Sequence, residues 1–248
     1  MKATFFNKPL EWNLETDQES WTQGGLIKGL LKVKNHSSSE VNLANPGVGL
    51  AWAEIKKVHA KADGALKIEV SQKLEASKIP ASGNLELAFE LRLGDNSFVT
   101  DKKGTYFLTY GQDALENHLQ LKIEPRPLFA KLIGLLDTFC RFKLKEFKSS
   151  KSSVEYKLIP PSARDMANLE SLILNMSMTG EELNLKFDFQ VKKLDTSGVT
   201  NKINKESIKL ERTLSPKEYS LGKDMINQEK LLKVFEEVIA AVKLKSVF

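Results

Sequence analysis

Three histidines, one cysteine and two adjacent glutamate pairs are the residues of this 248-residue chain whose types could do chemistry. His36, His59 and His118 each stand in a separate polar or loop-like stretch. None has a second His or Cys at ligand spacing, so a metal site has no support and solvated histidines are expected. Cys140 follows an apolar run and reads as a small buried hydrophobe rather than a nucleophile. Glu181-Glu182 falls at a turn, and Glu236-Glu237 falls on the wet face of a helical pattern. No Gly-x-Ser-x-Gly, P-loop or dinucleotide fingerprint occurs. Gly24-Gly25 with Gly29 opens a strand, not the helix N-terminus that phosphate binding requires. The expectation is a protein with no enzymatic activity, no cofactor and no metal.

Residues suited to contacts are more prominent. Arg141-Phe-Lys-Leu-Lys145 alternates basic with apolar, and Lys148 and Lys151 carry the positive stripe onward. Two readings stand: the solvated face of a strand, or a surface for an acidic protein or anionic lipid. No aromatic stacking pattern accompanies the stripe, so nucleic acid is not expected. Just before it, Pro127 suits a first helical turn, and Leu128, Leu132, Leu135, Leu136 and Phe139 recur at helical spacing. Phe129 and Ile133 widen that stripe until most of the helix is apolar. Such a helix is packed between or beneath two domains, or it is a docking surface for a partner or membrane.

The elements that would position these groups are mostly strands. Short strands are predicted around Phe5-Phe6 (extending through Trp12 and Leu14), at 23–35, from Val41, at 50–58, and through Leu66, Ile68 and Val70. Leu85, Leu87, Phe89, Leu91 and Leu93 alternate cleanly, and 105–110 and 119–123 complete the first half. The second half repeats the style at 154–158, 169–178, 183–191 and 208–214, with a polar loop at 195–205 between the last two. Asn227 can cap a closing helix whose Leu231, Leu232, Phe235, Val238, Ile239 and Val242 share one face. Strict alternation gives each strand one wet face, which favours antiparallel sandwiches over a parallel α/β sheet.

The totals agree with two domains. Hydrophobic content of 41% and charge of 28% suit a folded protein of this length. Residues 1–123 balance 15 basic against 15 acidic side chains, so 124–248 carry the whole net charge of +5. One cysteine allows no internal disulfide and fits a reducing compartment. With no apolar leader pattern and no run long enough to span a bilayer, a cytoplasmic location is expected.

The stretch Gln23-Gly24-Gly25-Leu26-Ile27-Lys28-Gly29-Leu30-Leu31-Lys32-Val33-Lys34-Asn35 resembles an early strand of the arrestin-like fold. That strand reads Pro-Gly-Glu-x-Val-x-Gly-x-Val-x-Val-x-Asn; Gln23 and Gly25 replace its proline and glutamate. Pro125-Arg126-Pro127-Leu128, the apolar helix and Phe142-Lys143-Leu144-Lys145-Glu146 then look like the bacterial sporulation-control family of arrestin-like proteins. The family members associated with this pattern are acidic in the second half, where this chain is basic. The resemblance implies an N-terminal β-sandwich at 1–124, a hinge helix at 125–140, and a C-terminal β-sandwich ending in an amphipathic helix at 141–248.

It also implies a non-enzymatic adaptor or scaffold that regulates bacterial signalling or development through protein–protein contacts. The candidate surface is Arg141, Lys143, Lys145, Lys148 and Lys151, with Leu128, Phe129, Leu132, Ile133 and Leu136 as the hinge. A peripheral membrane- or cytoskeleton-associated structural protein using the same two features is the alternative. A small-ligand carrier has no support in the sequence. Neither the partner nor the oligomeric state is legible.

Overall fold

The computed structural model describes residues 1–75, 78–112, 117–150, 152–195, 202–222 and 225–245. More than half of the chain is strand, arranged in several antiparallel sheets with few helices. It divides into two compact units, Met1–Glu124 and Pro125–Phe248.

The first unit is built from β1 (Lys2–Asn7), β2 (Leu10–Thr16), β3 (Leu26–Asn35), β4 (Pro46–Glu54), β5 (Lys67–Lys73), β6 (Asn84–Arg92), β7 (Gly104–Gln112) and β8 (Asn117–Gln120). One four-stranded sheet has the order β1-β2-β3-β6 and the other β8-β7-β4-β5. A single hydrophobic cluster draws on both: Trp12 and Leu14 of β2 and Ile27, Leu31 and Val33 of β3 join Leu50, Tyr106 and Leu108 of β4 and β7.

β3 is a framework strand, and its glycine and asparagine show why. A Cβ on Gly29 would stand 2.1 Å from the Glu15 carbonyl oxygen and 2.6 Å from the Phe89 ring, so only glycine lets β2 and β6 close on it. Asn35 is fully buried. Its amide donates to the carbonyls of Ser39 (2.8 Å) and Pro80 (2.9 Å), while its Oδ1 accepts from the Ser37 backbone N–H (2.9 Å) and hydroxyl (2.8 Å). One side chain thus ties two loops distant in sequence, and nearly all its hydrogen-bonding capacity is used.

Two details of the first unit differ from the sequence reading. The single strand through Phe5 and Trp12 is a hairpin turned at Lys8-Pro9, with Asn7 opposite Leu10. A proline has no N–H for the ladder, which is why the run breaks there. Ile68 and Val70 alternate as a buried face would, yet they are 38% and 41% exposed. β5 is an edge strand, so its apolar side chains lack a neighbour on one flank. A one-turn helix, Ile55–His59, follows β4.

The second unit opens with α1 (Pro127–Thr138). It continues through β9 (Lys143–Ser149), β10 (Val154–Ile159), β11 (Leu169–Thr179), β12 (Glu182–Asp195) and β13 (Lys202–Leu214), and closes with α2 (Gln228–Lys245). The five strands form one antiparallel sheet in sequential order. Where a second large sheet was expected, the described residues hold only a ribbon of Ser220–Gly222 and Met225–Ile226.

Helices supply the cover instead. Leu231, Phe235, Val238 and Val242 of α2 are buried, and the Phe235 ring meets Phe187 of β12 edge-on with centroids 6.2 Å apart. Each such residue contributes about 1.5–3 kcal/mol by leaving water. Asn227 caps α2: its side-chain oxygen accepts from the Lys230 N–H at 3.3 Å. The predicted loop at 195–205 is shorter than expected, since β12 and β13 remain paired through Lys193 opposite Asn204. Residues 196–201, including Gly198 of that loop, lie outside the described residues.

Candidate interaction surface on the second unit

α1 is an internal element. Phe129, Leu132, Ile133 and Leu136 of the predicted hinge are buried, together with Leu135, and Leu128 is half-buried. Phe139, grouped with them by spacing, is 56% exposed. It occupies the C-cap, where the chain leaves the helix toward Arg141, whose φ is +58°. α1 packs against α2 within the same unit. Its apolar circumference is therefore spent on burial and does not form a docking face.

The basic strand lies at an edge of the five-stranded sheet. Lys143, Leu144, Lys145, Glu146, Phe147 and Lys148 are all exposed. Its register against β10 breaks at one point: Leu144 sits opposite Leu158, and Glu146 opposite Lys157. Lys145 is the extra residue of a β-bulge. The bulge resets the alternation, so Leu144 and Phe147 share the inner face with Leu158 and Tyr156. Lys143, Glu146 and Lys148 fall on the outer face.

The positive stripe is therefore interrupted and partly neutralised. Lys143 pairs with Asp137, and Lys148 lies 3.9 Å from Glu155. Arg141 and Lys145 have no ion-pair partner among the described residues, and Lys151 lies outside those residues. Exposed pairs of this kind contribute at most about 1 kcal/mol. Bulge and lysines together also hinder addition of another strand along this edge.

Sequence reasoning missed the apolar component of the surface. Leu144, Phe147 and Ile159 are 44%, 37% and 45% exposed beside the charges. The Phe147 ring leans on Tyr156 at 6.1 Å. The Tyr156 hydroxyl is buried without a hydrogen-bond partner among the described residues, and burial pushes its pKa well up. The only signal in the sequence was the three-residue spacing of Leu144 and Phe147, which is out of phase with a regular strand.

The chemistry-bearing residues stay apart. His36 Nε2 lies 2.6 Å from Glu11 Oε2, and Asn13 and then His36 hold the Glu11 carboxyl below its ordinary range. Burial, aided by nearby His59, pushes the His118 imidazole down, and its ring meets Phe107 edge-on at 5.4 Å. Burial and Glu236 push the Cys140 thiol up, away from the thiolate a nucleophile needs. Among the described residues no three His, Cys, Asp or Glu gather as a metal site, and no helix is long and apolar enough to cross a membrane.

No family model matches the chain, and no curated protein matches it. Solved structures do. Spo0M, the sporulation control protein of Bacillus subtilis, superposes with a TM-score of 0.63 over 95% of this chain and 99% of its own, at 14% identity. A Pseudomonas fluorescens alkylpurine DNA glycosylase, AlkC, aligns over 45% of this chain and 29% of its own at 15% identity, with a TM-score of 0.28. A Listeria innocua β-glucosidase aligns over 46% and 16% at 14% identity, with a TM-score of 0.29. The two partial matches are too loose to carry an argument. The sporulation-control likeness inferred from the sequence is met by a likeness in fold along nearly the whole of both chains.

Proposed function

We propose that this chain is a non-enzymatic adaptor of the arrestin-like kind, acting in the cytoplasm through protein–protein contacts in bacterial signalling or development. The observation that carries the reading is the likeness to the sporulation control protein Spo0M, which extends over 95% of this chain. The shared core of the first unit's two sheets supports reading that unit as one β-sandwich. The second unit is read as the partner domain, with helices replacing part of one layer.

The contact surface on this reading is β9 and its surroundings. Leu144 and Phe147 supply apolar area, while Arg141 and Lys145 supply positive charge without an ion-pair partner among the described residues. Such a mixture suits an acidic protein surface that buries a few apolar anchors. The test is affinity capture from the native organism with wild type and with Leu144→Asp/Phe147→Asp. A partner held by wild type and lost by the variant at unchanged melting temperature is the expected result. Salt-sensitive binding to phosphatidylglycerol vesicles, lost on Lys143→Glu with Lys145→Glu, would replace this reading with the peripheral-membrane alternative.

A further inference from the structure

The second unit contains a cavity of about 380 Å³ that the adaptor reading does not use. Leu169 of β11, Phe189 and Val191 of β12, and Ile239 and Val242 of α2 form the apolar part of its lining, and Arg164, Asp165, Asn168 and Lys243 the polar part. Arg164, Asp165 and Lys243 stand at its rim, and the Asp165–Lys243 ion pair joins the loop before β11 to the end of α2. Arg164 is exposed and has no ion-pair partner among the described residues. The space equals the share of on the order of a dozen liquid waters, within the usual range for small-molecule pockets.

We infer that this cavity binds a single-chain aliphatic carboxylate, with the hydrocarbon against Leu169 and Ile239, the half-buried apolar residues of its lining, and the carboxylate at Arg164. Leu169 and Ile239 are half-buried, so a chain laid against them removes further apolar surface from water. The rim selects the head group. Lys243 is engaged by Asp165, which leaves the Arg164 guanidinium as the cation for a planar carboxylate, a geometry it matches with two parallel hydrogen bonds. A cationic amphiphile would meet Arg164 with like charge. The inference stands independently of any protein partner.

The test is displacement of 1-anilinonaphthalene-8-sulfonate by dodecanoate below its micellar concentration, with dodecanol and dodecyltrimethylammonium as comparators. Saturable one-to-one displacement by dodecanoate is expected. Arg164→Glu should weaken it about tenfold and remove the preference over dodecanol. Val242→Trp should abolish displacement by filling the cavity. Ala167→Trp, placed on the exposed rim where folding is little disturbed, should weaken it in the same direction. Absence of saturable displacement from wild type would overturn the inference. So would equal affinity for dodecanol, or unchanged binding by folded Ala167→Trp. Binding seen only with phosphatidylglycerol vesicles would do the same, because the source would then be a membrane surface.

Discussion

In the first unit two four-stranded sheets share one hydrophobic cluster, whereas in the second a single five-stranded sheet has helices packed on it. Sheet-on-sheet packing lets alternate positions of β2, β3, β4 and β7 interdigitate into one cluster. In the second unit Leu144 and Phe147 lie on the inner face of the edge strand β9 and yet stay 44% and 37% exposed. The helical layer therefore leaves part of its sheet open. Leu144 and Phe147 at one edge, and the cavity beneath the end of α2, are two expressions of that incomplete cover. Exposed apolar side chains and open space thus collect in the unit whose layers are mismatched.

Four substitutions bear on this contrast. The largest effect is expected from Leu136→Asp, which places an unpaired charge among buried groups and should cost about 4 kcal/mol or more in urea unfolding. A loss below about 1 kcal/mol would mean α1 is not part of the helical layer. Next comes Gly29→Ala in the framework unit, at about 1–3 kcal/mol, because the methyl collides with the Glu15 carbonyl and the Phe89 ring. Hydrogen exchange localised to β2, β3 and β6 should report it; an unchanged midpoint would show that β3 tolerates a side chain there.

Asn227→Ala should cost about 1 kcal/mol by removing the cap of α2, read as a lower melting temperature of the second unit's helical signal. Retained stability would indicate that α2 is held by packing alone. The smallest change is expected from Tyr156→Phe, between neutral and a gain of about 1 kcal/mol, since it removes a buried hydroxyl without a partner among the described residues. A clear loss would reveal a hydrogen-bond partner or bound water at that hydroxyl and a better-satisfied sheet than the described contacts imply.

Where one face of a strand is buried and the other wet, the chain announced it. β6 and β12 alternate over many residues, and both lie where the spacing put them. β4 is buried on both faces over most of its length, so no wet side imposes a period on it. The hairpin at Lys8-Pro9 passed unnoticed because apolar residues continue on both sides of the turn. At the candidate surface the basic residues were legible, but their facing was not. Local alternation cannot count residues on a partner strand, so the bulge that takes Lys145 out of the expected line remained hidden. The cavity was out of reach altogether, since its walls come from β11, β12 and α2, segments far apart in the chain.

Counting residues along β9 also shows how the edge is kept from polymerising. Without Lys145 the remaining Lys143-Leu144-Glu146-Phe147-Lys148 would alternate without a fault opposite β10. The edge would then be flat and regular, with a continuous row of free backbone donors and acceptors and with Leu144 and Phe147 in line. Such an edge is a template for a second copy of itself. A single surplus lysine thus acts as a spacer that breaks the regularity of a half-covered sheet's margin, and its deletion would leave that margin open to strand addition.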